Sequence, residues 1–132
     1  MNDKKIVENI VKEIAKSFSG AESTKNWTKE TIWFDAAPYA SVGAEKAKKV
    51  FDEAFDNLKS CNVTILDMRT FINENSALVC SVQKWDTVNK DVSVNPPFMM
   101  RQTDYLEKRN GEWKVLHEHT SAAQDWNGKI DE

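Results

Sequence analysis

The sequence predicts an α+β domain: a curved antiparallel sheet, cone-shaped overall, covered by about three N-terminal helices. Three observations predict it. Apolar residues recur at helical spacing through the N-terminal half. From Asn62 onward the pattern changes to runs rich in β-branched residues. Polar turns separate those runs into a meander of four long strands, and the helices are the only cover available for its apolar face.

Each element follows from its own residues. In Lys4–Phe18 the side chains of Ile6, Val7, Ile10, Val11, Ile14 and Phe18 form one helical stripe. Asp3 is placed to cap this helix. Ser19-Gly20 is placed to stop it, since glycine accepts the left-handed conformation past a helix end. A second, short helix is expected from Ser23 or Thr24 to about Glu30. Thr31–Asp35 is short and β-prone, and Pro38 ends it. A third helix is expected over Ala44–Leu58, with its stripe on Ala47, Val50, Phe51, Ala54, Phe55 and Leu58. Glu45 lies in its first turn, where the helix dipole favours acid. Asn62–Ile72 and Ala77–Val88 then pair across Asn73–Ser76, and Phe98–Lys108 pairs with Glu112–Ser121 across Asn110-Gly111. The tail over 121–132 is polar apart from Trp126 and Ile130, and either docks Trp126 or stays free.

Composition narrows the function classes. The 132 residues suit a single domain over 1–132. A formal net charge of −3 leaves no basic stripe for nucleic acid. No apolar run approaches the ~20 residues of a membrane helix, so no membrane partner is expected. The N-terminus lacks an export-type apolar run, which points to the reducing cytoplasm. The first long hairpin puts Cys61 near Val88 and Cys80 near Arg69, roughly 25 Å apart. That is too far for a disulfide, so both cysteines are expected to be free and structural.

The last hairpin carries a resemblance. Arg101-Gln-Thr103, Arg109-Asn-Gly-Glu-Trp113 and His117-Glu-His-Thr-Ser121 resemble the closing signature of SnoaL-like domains of the nuclear transport factor 2-like superfamily. They also resemble the association domain of calcium/calmodulin-dependent protein kinase II and its bacterial relatives. Trp33-Phe-Asp35, Gly43-Ala-Glu45, Val63-Thr-Ile-Leu66 and Asn75-Ser-Ala77 agree, so the resemblance spans about residues 6–121. It implies a conical cavity, a natural small-molecule site. The superfold hosts isomerases, cyclases, hydrolases and non-catalytic binders, so the resemblance does not settle the chemistry.

Two arrangements of the cavity stay open. On the last strand Trp113, Val115, His117, His119 and Ser121 alternate with Lys114, Leu116, Glu118 and Thr120. On the strand before, Arg101, Thr103 and Tyr105 alternate with Met100, Gln102, Asp104 and Leu106. A three-residue loop with Gly111 at a left-handed bulge keeps odd positions opposite odd; a two-residue Asn-Gly turn mixes the sets. The pattern alone buries the odd, aromatic face. The resemblance instead points Leu116 and Thr120 into the pocket. Arg101, Thr103, Trp113, His117, His119 and Ser121 then pack on the far side of the sheet, against a partner subunit.

The candidate catalytic residues are Asp35 and Asp104. Asp35 resembles the position of the ketosteroid isomerase general base, and its neighbours Trp33, Phe34 and Tyr39 give it apolar surroundings. Asp104 or Thr103 falls near that enzyme's second oxyanion donor. The isomerase tyrosine on the first helix has no counterpart, since the tyrosines are Tyr39 and Tyr105. The arginines of the kinase association pocket are replaced by Gln83, Asp104 and Thr120. The expected ligand-binding set is Trp33, Tyr39, Gln83, Trp85, Met100, Leu116, Glu118 and Thr120. With Asp35, Asp104 and Glu118 converging and no cation beside them, the cavity disfavours anions. It suits a neutral apolar ligand with hydroxyl or carbonyl groups, or a cation held by Trp33 and Trp85. His117 and His119 lack a third ligand on their face, so no metal is expected. The functional expectation is cofactor-free isomerase, cyclase or hydratase chemistry in a homodimer or larger homo-oligomer. The alternative is a non-catalytic oligomerisation module.

Overall fold

A computed structural model describes residues 2–123 and 125–132. The order of elements is α1 (Asp3–Lys16), α2 (Gly20–Ser23), β1 (Trp27–Phe34), β2 (Ala40–Val42), α3 (Ala44–Asp56), β3 (Leu58–Ile72), β4 (Ser76–Asn89), β5 (Phe98–Arg109) and β6 (Glu112–Ala122). Six strands form one curved open sheet in the order β2-β1-β6-β5-β4-β3. The four-strand meander predicted from the sequence is present. To it the fold adds β2, which pairs antiparallel with β1, and β1 itself, which pairs parallel with β6. The sheet is therefore mixed.

Three local expectations are corrected. Asn2, not Asp3, caps α1, its side chain accepting from the Lys5 amide. The second helix is the single turn Gly20–Ser23 capped by Ser19, and the residues expected to continue it begin β1 at Trp27. Gly20 explains the shift: a Cβ there would lie 2.1 Å from the Lys48 carbonyl oxygen. Its amide also donates to Asp52 Oδ1 at 2.7 Å. The close approach clamps α2 to α3 at this point. The third is the end of α1, which stops at Lys16 and not at Phe18. Of the two turns open for the last hairpin, the structure has the two-residue one, through Asn110 (φ 52°) and Gly111 (φ 80°).

That turn pairs Lys108 with Trp113 and Leu106 with Val115. Leu116 then bulges out of the ladder, and from Tyr105–His117 onward odd faces odd again. The bulge switches β6 from one face to the other. Trp113 and Val115 point inward before it, and Glu118 and Thr120 after it. Neither alternation set survives whole. A second bulge at Leu66 in β3 also shifts the first hairpin, so Cys61 faces Thr87 while Cys80 faces Arg69. Both cysteines are free.

The apolar core occupies one end of the inner face. Val7, Ile10 and Val11 of α1 and Ala47 of α3 pack on Trp27, Trp33, Ala77, Val79, Leu106, Trp113 and Val115. Towards the other end of the sheet the inner side chains turn polar. The tail lies back across the outer face: Trp126 stacks under Arg101 at 5.5 Å, Gly128 packs against Leu66 and Met99, and Glu132 pairs with Arg69.

Candidate functional site

Cross-strand register assembles a buried polar stripe. Trp33, Glu118, Asp104 and Val79 stand side by side on β1, β6, β5 and β4. The next row holds Thr120, Gln102 and Ser81. Gln83, one step further along β4, is fully buried. Asp104 is 0% exposed and Glu118 2% exposed, and neither forms an ion pair among the described residues.

What stabilises this stripe is hydrogen bonding. The Gln102 amide nitrogen donates to Asp104 Oδ2 at 2.8 Å and to Glu118 Oε1 at 3.1 Å. Thr120 Oγ1 donates to Asp35 Oδ1 at 3.1 Å, and the Ala36 amide donates to that same oxygen at 2.8 Å. At β4, Trp85 Nε1 donates to Gln83 Oε1 at 3.0 Å, and Gln83 Nε2 donates to Ser81 Oγ at 3.0 Å. Asp104 Oδ1 and the indole nitrogen of Trp33 are buried without a protein partner.

Two adjoining carboxyls in so dry a place do not both ionise cheaply. Burial pushes Glu118 well above the usual carboxylate range, and the charge of Asp104 beside it pushes further. Burial also raises Asp104, opposed by hydrogen bonds from Glu118 and Gln102. Both carboxyls are thus held above the usual range, Glu118 further than Asp104, and they titrate as a pair.

Two adjoining chambers lie between this stripe and the helices. The inner one, about 40 Å³, is lined by Ser17, Ser23, Asp35, Gln102, Glu118 and Thr120 together with apolar side chains. It has room for a water or one small functional group. The outer one, about 360 Å³, has Val50, Phe51, Ala54 and Phe55 of α3 on one side. Trp85, Thr87, Phe98 and Met100 form the other side, with Tyr39 at the rim. Trp33, Asp35, Phe51, Phe55, Trp85 and Met100 border both chambers. Among the described residues no lysine, arginine or histidine lines either one.

The structure therefore brings together seven of the residues expected at the site: Trp33, Asp35, Tyr39, Trp85, Met100, Glu118 and Thr120. Asp104 sits behind Glu118 and does not reach the chambers. Gln83 is likewise set back, engaged at both ends of its amide. Leu116 is half-buried in the bulge and lines no chamber. Trp113 is 4% exposed in the core, not on the outer face. His117, His119, Arg101, Thr103 and Ser121 do share that outer face. His117 Nδ1 bonds the Ile32 carbonyl at 2.8 Å, and the Phe34 ring edge meets both imidazoles. Arg101 Nε donates to Ser121 Oγ at 3.0 Å. Among the described residues no group of three or more His, Cys, Asp or Glu is placed to hold a metal ion. Burial pushes the Cys61 thiol up to about 11, away from the thiolate a nucleophile needs.

Sequence reasoning missed several lining residues. Gln102 was legible, since it alternates with Met100 and Asp104. Phe51, Phe55 and Phe98 carried only a generic apolar signal. Ser17 and Ser23 reach the chamber through the Gly20 clamp, a tertiary contact that leaves no local pattern.

Comparison with known proteins agrees with this architecture. Among solved structures, a nuclear transport factor 2-like superfamily protein from Salmonella enterica superposes with a TM-score of 0.80 at 14% identity, covering 97% of this chain and 96% of that one. A ketosteroid isomerase-like protein from Erwinia carotovora gives 0.76 at 17% identity, covering 94% and 99%. A candidate scytalone dehydratase from Novosphingobium aromaticivorans gives 0.78 at 14%, covering 92% and 85%. At such identities the likeness is one of fold. No curated protein matches the sequence. The SnoaL-like domain model matches residues 7–125, nearly the whole chain, and the protein belongs to that family.

Proposed function

We propose that the two chambers bind a small, largely apolar molecule without negative charge, and that the protein acts on it by cofactor-free acid–base chemistry. Asp35 is the base and Glu118 the acid, while Asp104 and Gln102 hold Glu118 in place. Asp35 takes a proton from carbon or from water. Glu118 gives its proton to a carbonyl oxygen or a departing hydroxyl. The outcome is isomerisation, or gain or loss of water, with no electrons left over. The observation that carries this reading is the convergence of Asp35, just past the end of β1, and Glu118 of β6 on one small chamber that adjoins an apolar one, with no lysine, arginine or histidine among the described residues of their walls. The names of two structural neighbours, an isomerase-like protein and a candidate dehydratase, accord with such chemistry.

The test is ligand-induced thermal shift across matched anionic, neutral and cationic compounds of one carbon skeleton. Neutral or cationic members are expected to stabilise the protein and the carboxylate to do least. The response is expected to change in Asp35→Asn and Glu118→Gln. Best stabilisation by the carboxylate, or variants with unaltered responses, would remove the basis of the reading.

A second reading, an association module, rests on the outer face. Ile32, Phe34, Val42, Phe71 and Leu78 are 42, 42, 58, 64 and 37% exposed there. Such a surplus of open apolar surface suits burial against a second copy. Sedimentation at tens of micromolar is expected to show a dimer or larger closed oligomer, and a monomer would count against it.

A further inference from the structure

The outer chamber is bounded by two sets of aromatic rings. On the helix side Phe51 stacks on Trp33 at 4.6 Å between centroids and on Phe55 at 6.1 Å. On the sheet side Trp85 and Phe98, cross-strand partners on β4 and β5, stack at 5.7 Å and 20°. The outer chamber, about 360 Å³, lies between these two sets of rings. Its width depends on how Trp85 stands, because Trp85 borders both chambers.

Trp85 is only half-buried, so packing alone does not fix its indole. Besides its stacking on Phe98, one hydrogen bond holds it, from Nε1 to Gln83 Oε1 at 3.0 Å. Gln83 is itself 0% exposed, and its amide nitrogen is engaged by Ser81 Oγ at 3.0 Å. The amide is thereby locked with its oxygen towards the indole. A flipped amide would set two N–H donors against the indole N–H and leave a buried clash of donors. Gln83 lines neither chamber, yet it is bonded to an indole that forms part of the sheet-side wall.

We propose that Gln83 is a positioning residue that sets ligand shape: by fixing Trp85 it keeps the outer chamber a slot that admits flat, unsaturated rings and rejects bulky saturated ones. This rests on the chambers being the ligand site. A flat ligand brings aromatic surface to rings on both sides of the chamber, and a globular cage of equal carbon number brings none.

The test uses 2-naphthol and 1-adamantanol, two uncharged alcohols of equal carbon number and different thickness, with binding to the full chain measured by calorimetry. The wild-type protein is expected to prefer 2-naphthol by about tenfold or more, a difference of about 1.4 kcal/mol. Gln83→Leu is expected to bring that ratio close to one. Trp85→Phe keeps a ring but removes the N–H, and is expected to lower the ratio similarly. The double variant should lose no more than either single one, because both break the same bond. A merely structural role for Gln83 would lower stability and leave the ratio untouched; an unchanged ratio in folded Gln83→Leu overturns the proposal while the ligand site stands. If Gln83→Leu does not fold, an unchanged ratio in Trp85→Phe overturns it equally. If neither alcohol binds the wild-type protein, the chambers are not the ligand site and both readings fall.

Discussion

Glu118 and His119 are neighbours in the chain and lie on opposite faces of β6. Glu118 is 2% exposed, beside a second carboxyl and without an ion pair. His119 is exposed, touched by the edge of Phe34. Histidine is the residue that ordinarily titrates near neutrality, and a lone glutamate ordinarily belongs on the surface. Here the chemistry is reversed by position. The outer face leaves His119 exposed to water. The inner face takes a carboxyl out of water and pushes it well above the usual carboxylate range. The side of the sheet decides how much water each of these side chains keeps.

The largest expected contrast lies one strand away. Trp33 is 2% exposed on the inner face and Phe34 is 42% exposed on the outer. Trp33→Ala is expected to cost about 3–5 kcal/mol in urea unfolding, from lost burial and the cavity left behind. Phe34→Ala is expected to cost under about 1 kcal/mol in the monomer. Equal losses would break the distinction between the faces.

A smaller loss is expected at the joint that closes the inner chamber. Gly20→Ala drives a methyl into the Lys48 carbonyl, so α2 must move off α3. A cost of about 1–3 kcal/mol is expected, of the order of an overpacked core. Affinity for chamber ligands should fall with it, since Ser17 and Ser23 flank the shifted turn.

Glu118 sharpens the contrast through pH. Its folded value is raised above the unfolded one, by burial and then by Asp104. Its contribution to stability is complete below the unfolded value and is lost as pH rises through the folded value. Glu118→Gln removes that loss and still donates to Asp104. The melting temperature of the variant should match the wild type in mild acid and exceed it increasingly towards alkaline pH. A gap that is constant with pH would mean that Glu118 holds no extra proton.

The smallest effects belong to the outer face. His119→Ala is expected to shift stability by no more than about 0.5 kcal/mol. His117→Ala loses the bond to the Ile32 carbonyl, worth about 0.5–1.5 kcal/mol. Neither should change ligand affinity in the chambers. Stoichiometric zinc or iron by elemental analysis, lost in His117→Ala, would overturn the view of these residues as structural.

The elements were legible to different depths. α1, α3 and the four long strands announce themselves by period, because each buries one face along most of its length. β2 has three residues with little buried surface, too short for a period to show. The second helix was misplaced because the stop at Ser19-Gly20 reads as a helix end, while its real task is the approach to α3. The site was legible in kind rather than in place. Of the residues expected there, Asp35, Glu118 and Thr120 border the inner chamber, whereas Asp104 and Gln83 lie behind its wall.

By itself the sequence determined the α+β class, the meander, the free cysteines and a cavity short of cations, because period, spacing and composition are local or additive properties. Tertiary structure decided which side chains face that cavity. One bulged residue, Leu116, puts Trp113 with Glu118 instead of His117, and periodicity cannot see it, since a bulge in one strand exists only relative to its partner. The same holds for the upward shift of Glu118. A sequence shows a glutamate, and only the fold sets it in a dry place beside Asp104.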